Sequence, residues 1–162
     1  MKKSICLVVL LLCFVLQNAF AEVLIGKVVG VSDGDTITLI DAGKTQYKIR
    51  LVGIDAPEKA QPYGQVSKRN LSELIYGKEV HVEWSKKDRY LRTLGKIILD
   101  GQDVCLEQVK RGMAWHYKKY QRDQTKEDQV LYSEAETKAR SAKLGLWADP
   151  NPIEPSVFRH SK

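Results

Sequence analysis

Tyr47-Lys48-Ile49-Arg50-Leu51-Val52-Gly53-Ile54-Asp55-Ala56-Pro57-Glu58 reads as an apolar strand that ends in a cation and two carboxylates. Tyr47, Ile49 and Leu51 fall on one face and Lys48 and Arg50 on the other, the two-residue period of a half-buried strand. Such a strand has no structural need for Arg50, Asp55 and Glu58 at one end. A charge withdrawn from water costs roughly several kcal/mol unless it is paired or holds a metal. Pro57 fixes its own φ and biases Ala56 toward extended backbone, so Asp55 and Glu58 sit on a stiff corner.

On the N-terminal side, residues 23–31 are β-branched and apolar, Ser32-Asp33-Gly34 signals a hairpin turn, and residues 36–40 form a second strand. Asp41-Ala42-Gly43-Lys44 makes the next turn. Three strands joined this way form a meander, in which the start of the second and the end of the third share an edge. Asp35 is therefore expected beside Asp55.

On the C-terminal side, residues 63–76 read as a helix with Leu71, Leu74 and Ile75 inward and Gly77 after its end. Residues 78–84 alternate as a strand, with His81 outward. A polar run over residues 85–88 leads to a fifth strand, residues 93–99. Residues 105–111 are a short helix in which Cys105 is a small buried hydrophobe. Residues 126–143 form the last expected helix, with Leu131, Ala135, Ala139 and Ala142 on its apolar side and Glu134/Lys138 and Glu136/Arg140 as surface pairs. Residues 149–162, with three prolines among the first seven, are expected as a loosely attached tail. The order matches an α+β fold: a five-stranded OB-fold barrel with about three helices, spanning residues 22–148.

Residues 1–21 read as a signal peptide. Lys2 and Lys3 precede an apolar run of about twelve residues, short of the ~20 that cross a bilayer, and Ala19-Phe20-Ala21 suits cleavage before Glu22. The mature chain is expected to be exported, periplasmic or extracellular, monomeric and without a membrane partner. Removing that segment lowers the net charge from +6 to +4, which permits an anionic partner without demonstrating one. It also leaves Cys105 as the one cysteine, so an internal disulfide is excluded. The three histidines are scattered and give no zinc-ligand spacing.

Asp35, Asp55, a backbone carbonyl and water are oxygen donors, which suit a hard ion such as Ca²⁺. Arg50 and Arg92 offer guanidinium forks shaped for phosphate oxygens, and Glu58 is a spare carboxylate able to activate water. Together these groups fit phosphodiester hydrolysis. Trp115, Tyr117 and Tyr120 interleave with His116, Lys118, Lys119 and Arg122, a composition able to stack bases and track phosphates.

Asp33-Gly34-Asp35-Thr36 and Arg50 to Glu58, in this order and spacing, resemble the signature segments of the staphylococcal nuclease (thermonuclease) family, and the likeness runs over residues 23–147. The resemblance implies an OB-fold, Ca²⁺-dependent nuclease that cuts DNA and RNA at the 5′ P–O bond and leaves 3′-phosphates. It implies Asp35 and Asp55 as side-chain metal ligands and Ala56 as a carbonyl ligand. Arg50 and Arg92 would hold the scissile phosphate, Glu58 would be the general base, and Asp88, Tyr90 and Tyr117 would contact the nucleotide or its terminal phosphate. Ala56 stands where many members have threonine, a harmless change for a backbone ligand. Leu91 stands where many have glycine, and a positive φ there would strain it. The alternative is a non-catalytic OB-fold module that binds nucleic acid or protein. The presence of Asp35, Arg50, Asp55, Glu58 and Arg92 together favours the enzyme.

Overall fold

The computed structural model describes residues 22–161, so the expected signal peptide lies outside the described residues. Strands β1 (Glu22–Asp33), β2 (Thr36–Ile40) and β3 (Gln46–Leu51) form the expected meander. Thr36 pairs with Arg50 and Ile37 with Ile49. β3 ends at Leu51 rather than at Ile54, because Gly53 takes φ +77 and turns the chain. Ile54–Asp55 then form a separate two-residue strand, β4, beyond that turn.

Helix α1 (Gly64–Ile75) follows, with Leu71 and Ile75 fully buried. β5 (Glu79–Lys87) continues through the polar run expected to be a turn, because Lys86 and Lys87 remain paired with Leu94 and Thr93 of β6 (Thr93–Leu99). β5 also pairs with β1, and β6 pairs in parallel with β3, Arg50 facing Leu94. That parallel contact closes five strands into a barrel, the OB-like architecture expected. Its interior is filled by Val28, Ile37, Leu39, Ile49, Leu51, Val80, Val82 and Ile97, each at most 1% exposed.

A two-residue strand β7 (Gln102–Asp103) leads into α2 (Val104–Lys110), capped by the Asp103 carboxylate on the Leu106 N–H at 3.0 Å. Cys105 is buried in the core as expected, and burial pushes its thiol pKa up. β8 (Trp115–His116) pairs with β4, setting Trp115 opposite Asp55.

Helix α3 (Lys126–Ser141) turns a different face inward from the expected one. Ala135 and Ala139 are buried, but Leu131 is 49% exposed, Ala142 is exposed, and Tyr132 and Glu136 take the inner positions. Tyr132 wins because its ring fills the core while its hydroxyl donates to Asp103 Oδ2 at 2.8 Å. Glu136, expected on the surface, is buried and accepts the His116 N–H at 3.2 Å and the Lys118 ammonium. Its surface-pair partner Arg140 lies over Trp147, 3.8 Å from the ring centroid.

Residues 149–161, expected as a loose tail, fold back on the barrel. Gln61 donates to the Ile153 carbonyl at 2.6 Å, and Pro155–His160 form helix α4. Among the described residues no helix is long and apolar enough to cross a membrane.

Candidate active site

Arg50 joins three pieces of chain. Its Nη2 lies 3.1 Å from Asp35 Oδ2 and 3.0 Å from Asp55 Oδ1. Its Nη1 donates to the carbonyls of Leu51 and Ile54, both at 2.9 Å. The β-meander and the Gly53 turn thus bring Asp35 and Asp55 onto a single nitrogen.

Asp35 is fixed from several sides. Oδ2 accepts the Ala56 N–H at 2.7 Å, Oδ1 accepts the Thr36 hydroxyl at 3.0 Å, and the Asp35 carbonyl accepts the Leu51 N–H at 2.8 Å. The preceding turn is closed by Asp33 Oδ1 on the Asp35 N–H at 3.1 Å. Gln108 of α2, fully buried, donates to the Gly34 carbonyl at 2.8 Å. Gly34 is packed so closely that a Cβ there would lie 1.8 Å from Ser67 Oγ. Sequence reasoning missed Gln108. Its signal was a lone amide on the apolar face made by Val104, Cys105 and Val109.

Burial is the largest influence on Asp35 and pushes its pKa up to about 7 against the pull of Arg50. Asp33 and Asp55 add to the rise, and the Ala56 N–H opposes it.

A second cation reaches the corner. Arg159 of α4 places Nη1 3.1 Å from Asp55 Oδ1 and 2.8 Å from Glu58 Oε1, with Nη2 2.9 Å from Asp55 Oδ2. A guanidinium thus stands where carboxylate oxygens from Asp55 and Glu58 converge. Asp35, Asp55 and the Ala56 carbonyl supply only oxygen, the donor chemistry of a hard divalent ion with water completing its shell. These residues fit such an ion. Among the described residues no three His, Cys, Asp or Glu groups form a ligand cluster, so the fit rests on two carboxylates, a carbonyl and water.

Arg92 belongs to a separate exposed turn. Asp88 Oδ1 accepts the N–H groups of Tyr90 and Arg92 at 2.9 and 3.0 Å, and Asp88 Oδ2 takes Arg92 Nε at 2.8 Å and Nη2 at 2.7 Å. Burial acts to raise the Asp88 pKa, but these bonds outweigh it and leave it lowered. Asp88 thus orients Arg92 directly. Leu91 has φ +62 and is 79% exposed, so the strain expected of leucine there is present. Arg92 immediately precedes β6, whose Leu94 is paired with Arg50.

Tyr90 is 64% exposed, with the guanidinium carbons of Arg89 and Arg92 at 4.8 and 5.6 Å from its ring centroid. Tyr117 borders the corner. Burial and then the charge of Asp55 raise its phenol pKa, while Arg159 and Arg50 oppose the rise. Trp115 is a correction: at 9% exposed it packs on Trp147 with ring centroids 4.4 Å apart, so its ring is not open to a base. What it gives the corner is backbone pairing to Asp55.

The family model described as "Staphylococcal nuclease homologue" matches residues 48–149. The chain belongs to that family. A Haemophilus influenzae protein called an uncharacterized endonuclease is 45% identical over 161 residues, covering 99% of this chain and 87% of that one. An Escherichia coli protein of the same description is 44% identical over 138 residues, with 85% and 86% covered. The micrococcal nuclease of Shigella flexneri is 37% identical over 145 residues, with 84% and 80% covered.

Proposed function

We propose that this nuclease uses Ca²⁺ to hydrolyse phosphodiester bonds of DNA and RNA at the 5′ P–O bond, leaving 3′-phosphates. The observation that carries the reading is the meeting of Asp35 and Asp55 on one Arg50 nitrogen, with Glu58 three residues further along the same stiff corner.

Asp35, Asp55 and the Ala56 carbonyl would hold the ion, which when bound polarises a phosphoryl oxygen. Arg50 keeps the two ligand carboxylates together. Arg50 and Arg92 offer guanidiniums to charge that grows on the phosphate oxygens. Glu58, with a side chain 39% exposed, can reach a water and take its proton. Tyr90 and Tyr117 flank the path of the nucleotide and can stack on a base or bond a terminal phosphate. Oxygen-only ligands favour Ca²⁺ over Mg²⁺, which demands a tighter octahedral shell and keeps its waters. Residues 1–21 act as a signal peptide, so the nuclease works after export, in the periplasm or outside the cell.

The test is incubation of the purified protein with a short single-stranded DNA and its RNA counterpart in Ca²⁺, in Mg²⁺ and in excess chelator. Mass spectrometry of the products reads the new termini. Cleavage in Ca²⁺ to 3′-phosphates, abolished by chelator, is the expected result. Binding of both strands without cleavage in Ca²⁺ would instead indicate a non-catalytic OB module.

A further inference from the structure

Helix α4 is six residues long, too short to persist without tertiary support, and it is anchored where the chemistry is. Pro155 is buried at its start, and near its end Arg159 forks onto Asp55 and Glu58. Gln61 ties the segment before α4 to the corner. Its amide donates to the Ile153 carbonyl at 2.6 Å, while its Oε1 accepts the Glu58 N–H at 3.1 Å. Pro152 and Ile153 also line a small cavity with Pro57, Tyr63 and Trp115, so the tail is seated on the segment that follows the corner.

Arg159 engages both oxygens of Asp55 and one of Glu58. Those are the atoms that the proposed activity assigns to the metal and to the attacking water. We propose that Arg159 is an intramolecular plug, held in the corner when divalent cation is scarce and displaced by Ca²⁺, which releases α4 and frees Glu58. The proposal rests on the metal site of the preceding section.

Exposure separates the two arginines of the corner. The Arg50 side chain is 12% exposed and braced by two backbone carbonyls, so it stays. The Arg159 side chain is 37% exposed and its Glu58 partner 39%, so that arm of the fork is solvated enough to open, while the Asp55 carboxylate it also grips is 3% exposed. A doubly charged ion competes for the Asp55 oxygens with a singly charged one. Once the fork lets go, α4 loses the ion pairs that hold its C-terminal end, and the turn of so short a helix frays.

The experiment uses the metal-stripped full protein and its Arg159→Gln variant, without nucleic acid. Calorimetric titration with Ca²⁺ gives the affinity, and hydrogen exchange gives the protection of residues 155–161. A plug closed nine-tenths of the time weakens apparent affinity about tenfold, so Arg159→Gln is expected to bind Ca²⁺ about tenfold or more tightly than wild type. Ca²⁺ is expected to abolish protection of α4 in wild type, while the variant stays unprotected with or without it. Equal Ca²⁺ affinity in the two proteins, with α4 protection indifferent to Ca²⁺, overturns the plug and leaves the metal site standing. Failure of Ca²⁺ to bind either protein overturns both.

Discussion

Replacing Arg50 by lysine separates two jobs that the guanidinium performs. In the structure it makes four contacts: two carbonyls at 2.9 Å and two carboxylates at 3.0 and 3.1 Å, from a side chain 12% exposed. A lysine ammonium can stay near the carboxylates, but as a point donor it cannot also span the carbonyls of Leu51 and Ile54. Each bond from a charged donor contributes roughly 1.5–3 kcal/mol, and partial exposure lets water recover some of it. The expected loss for two such bonds is about 2–4 kcal/mol, a large share of the ~5–15 kcal/mol that holds a domain together. Urea unfolding measures this directly, as a lower midpoint with an unchanged m-value. Ca²⁺ affinity is expected to fall in parallel, because Asp35 and Asp55 lose the nitrogen that gathers them, and kcat is expected to fall as well. Arg92→Lys is the control. The Arg92 side-chain bonds run to Asp88 in an exposed turn, so its stability cost is about 1 kcal/mol or less while kcat still drops. An Arg50→Lys protein within ~0.5 kcal/mol of wild type in stability and unchanged in Ca²⁺ affinity would refute the bracing role and leave Arg50 with transition-state contacts alone.

Glu58→Gln is expected to keep Ca²⁺ binding, tightened if anything because Arg159 loses one of its two carboxylates, and to lower kcat by about 10²–10⁴; a drop below tenfold at saturating Ca²⁺ would reduce Glu58 to an organiser of water. Leu91→Gly is expected to stabilise by roughly 0.5–1 kcal/mol, since relief of left-handed strain exceeds the added chain entropy, and thermal unfolding reads the sign. Burial lowers the His116 pKa, so the folded state favours neutral imidazole. Its contribution is full above the unfolded pKa of about 6.5 and is lost as pH falls through that value toward the folded one. Urea midpoints at pH 7.5 and 5.5 should therefore diverge more for wild type than for His116→Gln, and equal divergence would place the acid sensitivity elsewhere. Tyr90→Ala, which removes an exposed ring, is expected to raise KM on a single-stranded substrate by the equivalent of ~1–3 kcal/mol with kcat little changed. A fall in kcat at unchanged KM would mean that Tyr90 acts by steadying Arg92.

The barrel was legible because its signal is local. Alternation at Tyr47, Ile49 and Leu51 and at Val80 and Val82 depends on the pleat alone, and short turns leave a meander little freedom. From that topology Asp35 had to approach Asp55, and in the structure both reach Arg50. What escaped depends on partners distant in sequence. Leu131 is more apolar than Tyr132, yet Tyr132 is the buried one because Asp103 waits for its hydroxyl. Glu136 reads as a surface helix charge until β8 delivers the His116 N–H to it. Trp115 reads as a platform beside basic residues until the chain returns with Trp147 to cover it. Gln108 is silent for the same reason: its acceptor, Gly34, lies 74 positions away. Residues 149–161 mislead most strongly, because proline content predicts poor order only where no docking surface exists.

Charge pairing adds to the apolar seating of Pro152, Ile153 and Pro155 in docking the tail. Asp35, Asp55 and Glu58 gather at the corner, where Arg50 pairs with the first two and leaves Glu58 and the second Asp55 oxygen to another partner. Any mobile cation of suitable shape gains by entering, and the one permanently tethered to the chain is a guanidinium that matches the Asp55 carboxylate edge to edge. The same carboxylates that would draw a divalent ion therefore recruit Arg159. A phosphodiester brings a further negative charge, which a corner balanced only by guanidiniums would repel more than one holding a doubly charged ion. Nucleic acid and Ca²⁺ should accordingly enter in concert, each lowering the cost of the other, while Arg159 opposes both. Because such coupling is reciprocal, a non-cleaved nucleotide should tighten Ca²⁺ binding by the same factor by which Ca²⁺ tightens the nucleotide. Arg159→Gln should tighten Ca²⁺ in the absence of any nucleotide, since the competition it removes is internal to the chain.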